Sequence, residues 1–164
     1  MLRFAQCLIL LAGLLATPAV AQDVAIRFGD SLRLDGSPLE VTADSLVVDQ
    51  TTGATEFTGN VLAVQGEMRI SATALRLEYA TGTTSGSQRI GRILASGNVL
   101  MVTASEAIEA REAIYSLEDQ TLEMTGDVVL VQGPNMLSGE RFVADLRTGS
   151  GRMVGRVRTI IRME

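Results

Sequence analysis

The chain has 164 residues, with 19 acidic residues against 14 arginines and no lysine, for a formal net charge of −5. It has no histidine, no tryptophan, and a single cysteine, Cys7. The acidic balance argues against nucleic acid as a partner, and the absence of His, with Cys7 the single cysteine, argues against the usual nucleophile–base pairs and zinc ligand sets.

At the N-terminus, Arg3 precedes an apolar run from Cys7 to Leu15, and Ala19-Val20-Ala21 follows as a small-x-small site. This pattern is that of a secretory signal cleaved after Ala21. The run falls short of the roughly 20 residues a membrane-spanning helix needs. Cys7 lies inside it rather than after it, so no lipid anchor is expected. Residues 1–21 are therefore read as a cleaved signal peptide and residues 22–164 as one domain. An exported chain without disulfides depends on core packing and sheet pairing.

Val24-Ala25-Ile26-Arg27-Phe28 alternates and breaks at Gly29-Asp30, which predicts a short strand. From Pro38 to Asp49 the apolar positions are Leu39, Val41, Leu46 and Val48, with a slip of phase near Ala43-Asp44. Thr51-Thr52-Gly53 and Gly59-Asn60 read as turns around a strand from Ala54 to Phe57. Val61–Val64, Met68–Ala72 and Leu75–Tyr79 follow with period two. The Thr, Ser and Gly stretch from Gly82 to Gly91 reads as a long hairpin loop. Strands are then predicted at Ile90–Ala95, Val99–Thr103, Ala107–Glu112, Ala113–Leu117, Thr121–Met124 and Val128–Val131. Met136–Ser138, Arg141–Leu146 and Arg152–Met163 complete the series.

Thr103-Ala104-Ser105-Glu106 resembles a helix capping box, and Ala107, Ala110, Ala113, Ile114 and Leu117 fit a helical stripe. Glu109 to Leu117, however, falls in register with Ser71 to Leu77, which alternates as strand. Strand is the expectation there.

The tetrapeptide Thr58-Gly59-Asn60-Val61 returns as Ser96-Gly97-Asn98-Val99, as Thr125-Gly126-Asp127-Val128 and faintly as Val154-Gly155-Arg156-Val157. The four glycines are 38, 29 and 29 residues apart. A period of this size means one supersecondary unit repeated, each copy covering the apolar face of the next. About a dozen short strands joined by tight glycine turns give an antiparallel all-β fold. A barrel, a sandwich, a rolled sheet and an open solenoid all remain possible. Clean alternation to polar on one side points to a single interior, which favours a twisted β-jelly roll, a rolled V-shaped sheet.

Several stretches resemble a known family. Pro38-Leu39-Glu40-Val41-Thr42-Ala43-Asp44-Ser45-Leu46, the Gly-Asn/Asp-Val repeats, Gln65-Gly66, Tyr115 and Leu137-Ser138-Gly139-Glu140-Arg141 are similar to the LptA (OstA-like) periplasmic lipopolysaccharide-transport family of Gram-negative outer-membrane biogenesis. The resemblance runs from about Pro38 to Val157. It implies a jelly roll with an apolar interior open at both ends, binding lipopolysaccharide through its lipid A acyl chains. It also implies head-to-tail self-association and junctions with LptC-like and LptD-like jelly rolls in a bridge between the membranes. The competing expectation is a structural adaptor that links envelope proteins without binding lipid.

The residues support a carrier rather than an enzyme. No Gly-x-Ser-x-Gly elbow occurs, and no cofactor or metal is expected. Glu106, Glu109 and Glu112 are read as a solvated acidic edge, with 106 and 112 on one side and 109 on the other. Gly149-Ser150-Gly151-Arg152 reads as a plain turn, since no helix pattern follows.

The inward apolar set is Leu39, Val41, Leu46, Val48, Phe57, Met68, Ile70, Leu75, Leu77, Tyr115, Leu117, Leu122 and Met124, as ordinary core or as lipid contacts. Few aromatics and many Val, Leu, Ala and Met suit a loosely filled trough for acyl chains. The expected joining edges carry Val24, Ile26 and Phe28 at one end and Val157, Thr159 and Ile161 at the other. Arg152, Arg156, Arg158 and Arg162 are expected on one face of the last strand. There they either meet lipid phosphates or a partner's acidic edge, or guard the strand against aggregation.

Overall fold

A computed structural model describes residues 37–80 and 89–162. The Gly82–Gly91 loop and the strand at Val24–Phe28 lie wholly or largely outside these residues. Ten strands form one antiparallel sheet: β1 (Glu40–Thr42), β2 (Ser45–Val48), β3 (Thr55–Gln65), β4 (Met68–Tyr79), β5 (Ile90–Val102), β6 (Glu106–Ser116), β7 (Thr121–Gln132), β8 (Asn135–Asp145), β9 (Ser150–Val154) and β10 (Arg158–Ile160). Strands β3 to β8 pair in chain order; β1 and β2 both pair with β3, and β9 and β10 both pair with β8. Hairpin turns at Gly66 (φ 56°) and Gly133 (φ 54°) carry a positive φ at the first central position, as II′ turns require.

The Gly-Asn/Asp pairs are not the turns that the sequence suggested. Each lies in mid-strand, so β3 to β8 are single strands of 11 to 13 residues rather than pairs of short ones. Gly59 and Asn60, Gly97 and Asn98, and Gly126 and Asp127 all hold positive φ. Two such residues side by side are also the signature of a hairpin turn; here the neighbouring strand runs on past them, and the result is a bulge. Between Thr58 and Val61 the opposite strand advances only from Ala74 to Ala72.

The bulges align across the sheet. The Asp44 N–H donates to the Gly59 carbonyl at 2.9 Å, and the Glu140 N–H to the Gly155 carbonyl at 3.2 Å. Thr73 Oγ1 donates to the Gly97 carbonyl at 3.1 Å, and Arg111 meets the Asp127 carboxylate at 2.9 Å. On β3, β5 and β7 the extra residue keeps the inward phase. On β4, β6 and β8 the phase switches, from Ile70 to Leu75, from Ala110 to Ala113 and from Leu137 to Phe142. Both halves of every long strand therefore present apolar side chains to the same side.

That side is buried to a degree no flat sheet could reach alone. Leu75, Ile108, Leu122, Met124, Leu130 and Phe142 are less than 2% exposed. The sheet is folded along its row of bulges, closing two walls over one core. Wall one comprises β1, β10 and the strand halves nearest the Gly66 and Gly133 turns. Wall two comprises β2, β9 and the other halves.

Three further expectations change. Glu106 is not on a solvated edge: it is 6% exposed, and its carboxylate accepts from Thr103 Oγ1 (2.6 Å), Ser105 Oγ (2.7 Å) and Gln132 Nε2 (3.1 Å). The capping-box chemistry is real but closes the β5–β6 hairpin instead of a helix. Because β6 switches phase, Glu112 shares the exposed outer side with Glu109, not the inner side with Glu106. The last strand is split at Gly155-Arg156 into β9 and β10. Its arginines therefore do not form one row: Arg152 pairs with β8 on wall two, Arg158 on wall one, and Arg156 meets Glu140 at the bulge.

Candidate functional site

Of the predicted inward residues, Met68, Ile70, Leu75, Leu77, Leu122 and Met124 are buried in the core, and Leu39, Val41, Phe57, Tyr115 and Leu117 pack half-buried against it. Leu46 and Val48 face the same side by register, opposite Phe57 and Thr55, yet are 54% and 52% exposed. They belong to β2, at the sheet's edge, where no described strand lies beyond. At the other edge Val157, Thr159 and Ile161 are exposed. Val24, Ile26 and Phe28 fall outside the described residues.

The expected open trough is not present along the middle of the roll. Side chains from both halves of the described strands, among them Val61, Leu75, Val99, Ile108, Leu122, Met124, Val128 and Leu130, are 0–2% exposed and form one apolar cluster there. Space opens at one end. A cavity of about 440 Å³ is lined by Arg89, Ile90, Tyr115, Leu117, Glu118, Gln120 and Leu146.

This mouth is built from β5, β6 and the turns after β6 and β8. The Leu117 N–H donates to the Gly91 carbonyl at 2.8 Å and the Leu146 N–H to the Gln120 carbonyl at 2.9 Å. Asp119 accepts from Ser116 Oγ at 2.9 Å, which shapes the tight turn that places Gln120 at φ 52°. Ile90, Leu117, Leu146 and the Tyr115 ring form an apolar floor; Arg89, Glu118 and Gln120 form a polar rim. Burial pushes the Tyr115 hydroxyl above its ordinary pKa, so it stays a neutral phenol at physiological pH.

An apolar floor under a rim of one guanidinium, one carboxylate and one amide suits an amphipathic ligand. Tyr115 and Leu117 were legible from their alternation. Ile90 and Leu146 carry the same inward signal at strand ends; Arg89 and Gln120 carry none. Among the described residues no cluster of His, Cys, Asp or Glu is placed to hold a metal, and no helix is long and apolar enough to cross a membrane.

Residues 40–150 match the family described as LptA/(LptD N-terminal domain) LPS transport protein. The chain belongs to that family. An uncharacterised protein of Rhizobium meliloti (strain 1021) is 29% identical over 146 residues, covering 87% of this chain and 78% of its own length. Among solved structures, a similar fold is that of LptH, the LptA-homologous periplasmic component of the lipopolysaccharide transport device of Pseudomonas aeruginosa. It has a TM-score of 0.67 at 16% identity, covering 78% of this chain and 97% of the LptH chain. The all-β jelly roll of this LptA-like chain is thus shared with LptH at low sequence identity.

Proposed function

We propose that this LptA-like chain is a periplasmic carrier segment that shields the acyl chains of lipopolysaccharide during passage between the two membranes. The observation that carries the reading is the mouth: an apolar floor continuous with the core, under a polar rim of Arg89, Glu118 and Gln120. Family membership supplies the ligand class. Each methylene moved from water into such an interior contributes about 0.8 kcal/mol, without directional bonds that would stop the lipid from sliding. Because the middle is filled by its own side chains, acyl chains enter beyond the mouth only when the two walls part along the bulge row. Among the described residues β1, β2, β9 and β10 pair on one side only, which leaves the walls free to do so. No covalent step and no cofactor is involved.

In this reading the chain joins others of its kind edge to edge. Glu40, Asp44 and Asp49 lie on the β1–β2 side and Arg152, Arg156 and Arg158 on the β9–β10 side, so strand addition from one copy to the next brings opposite charges together. LptC-like and LptD-like jelly rolls offer the same kind of edge.

The filled middle favours one competing reading, an adaptor that links envelope proteins without taking up lipid. Photo-crosslinking separates the two. A benzophenone side chain at Tyr115 or Leu117 is expected to capture lipopolysaccharide, and one at Arg76 or Glu123, on the outer face, is not. Capture at neither interior position, in a protein that still supports growth, would leave only the adaptor.

A further inference from the structure

The two walls differ on the outside. Wall two carries a lattice of charge: Arg76 meets Glu56 at 3.8 Å and Glu78 at 3.3 Å, Arg92 meets Glu78 at 3.5 Å, and Arg141 meets Glu123 at 2.7 Å. Wall one is apolar in the corresponding place. Val64, Val102, Ala107, Val131, Met136 and Ile160 stand in one cross-strand row on its outer side, interrupted by Arg69 and ending at Glu40. Val131, Met136 and Ile160 are 37%, 41% and 44% exposed. Leu62, Leu100 and Val129 occupy the next outward row, alternating with Ser71, Glu109 and Ser138 between Thr42 at one end and Arg158 at the other. Contiguous apolar faces larger than a few hundred Å² are uncommon on a monomer and mark a contact surface.

We propose that wall one is the contact face of a two-fold dimer of this chain, packed sheet on sheet. Eight strands at about 4.8 Å spacing and two outward rows give a face of roughly 34 by 13 Å, so two copies cover on the order of 900 Å². That lies just under the range of standard interfaces, and the dimer is correspondingly weak and concentration-dependent. Charge chooses the second copy and its orientation. Glu40 on β1 and Arg158 on β10 mark opposite ends of the face. A two-fold axis parallel to the strands, between β5 and β6, lays the strand order over its own reverse: each copy's Glu40 end meets the other's Arg158 end, and each Glu109 on β6 lies diagonally across from the other's Arg69 on β4. An axis across the strands would stack Glu40 on Glu40 and is disfavoured. A membrane surface is a poor occupant, because a chain of net charge −5 offers it Arg69 and Arg158 against Glu40 and Glu109 here and no aromatic anchor. The face ends on the edge strands at Glu40 and Arg158, so Ala107 and Val131, on the inner strands β6 and β7, are the positions that separate the dimer from the edge-to-edge array.

Sedimentation velocity over a range up to about 0.1 mM reads the equilibrium, since a weak dimer populates there. The wild type is expected to associate in this range, and Val131→Glu or Met136→Glu to weaken the dimer step at least about tenfold. Both side chains point outward, and an unchanged thermal melt identifies variants that remain folded. Cysteine crosslinking carries the test if they do not. With Cys7 replaced by serine, Ala107→Cys is expected to link to itself through a short bis-maleimide. Met136→Cys is not, because the axis sets the two copies of β8 about 24 Å apart.

A wild type that stays monomeric overturns the proposal. So does a dimer that survives both glutamate variants, or Met136→Cys linking as efficiently as Ala107→Cys. An open ladder of oligomers unaffected by the glutamates assigns association to the edges alone. A monomer whose variants instead lose an envelope partner assigns the face to that partner.

Discussion

At Gly97 the backbone holds φ +78°, and Thr73 Oγ1 lies 2.5 Å from where a Cβ would stand. Alanine there would meet both a left-handed backbone and a side chain packed into the glycine's space. Gly97→Ala is expected to lower stability by about 2 kcal/mol or more. Gly133, at φ +54°, has nothing within 4 Å of the place a Cβ would take, so Gly133→Ala is limited to the backbone cost of about 1 kcal/mol. Equal losses in urea denaturation would refute a close-packed bulge row. Glu106 offers a second residue-scale test. Removing its carboxylate takes away an acceptor shared by Thr103, Ser105 and Gln132, and Glu106→Ala is expected to cost about 2–3 kcal/mol, with Glu106→Gln milder.

Acid sensitivity also belongs to individual carboxylates. The hydrogen bond from Arg141 holds Glu123 below its usual pKa, the one from Arg147 does so for Asp145, and Thr52 with the Thr51 N–H does so for Asp49. A folded-state pKa below the unfolded one means the stabilisation is present above the ordinary carboxylate range and is lost as pH falls through and below it. These groups are largely exposed, so the effect per residue is small. With no histidine in the chain, stability is expected to be flat from about pH 6 to 8 and to decline below about pH 4.5. A midpoint shift in thermal melts near pH 6.5 would contradict this.

Among the elements, position in the sheet decides what an apolar side chain is worth. Leu75 lies at the heart of β4 at 1% exposure, whereas Leu46 on β2 has the same inward phase but no described strand beyond it. Leu75→Ala is expected to cost about 3 kcal/mol and Leu46→Ala less than about 1; chemical denaturation of the two variants checks it. Period-two alternation identified the inward set because it is a property of the strand itself. It could not show that two short strands are one long strand, because a Gly-Asn pair at positive φ has the same local chemistry in a hairpin turn and in a bulge. Only the neighbouring strand, running on past the pair, distinguishes them. The phase switches opposite the bulges, at Thr73, Arg111 and Glu140, follow from the same cross-strand geometry.

For the molecule as a whole, an open sheet folded over its own apolar face has a firm middle and weak edges. Hydrogen exchange is expected to be slowest in β5, β6 and β7 and fastest in β1, β2, β9 and β10, which pair on one side only. Uniform protection from edge to edge would mean that the edges are covered in solution, by another copy or by a segment outside the described residues.

From the sequence alone came the antiparallel all-β class, the repeat and most of the inward residues, because alternation and positive-φ glycine are local physics written into consecutive residues. Tertiary structure alone decided that the glycine pairs crease the sheet, that Glu106 is buried, and that the middle of the roll is filled. It also placed Ile90, Tyr115, Leu117 and Leu146 around one mouth. Each of those outcomes depends on which distant strand lies alongside or across, and no window of neighbouring residues contains that partner.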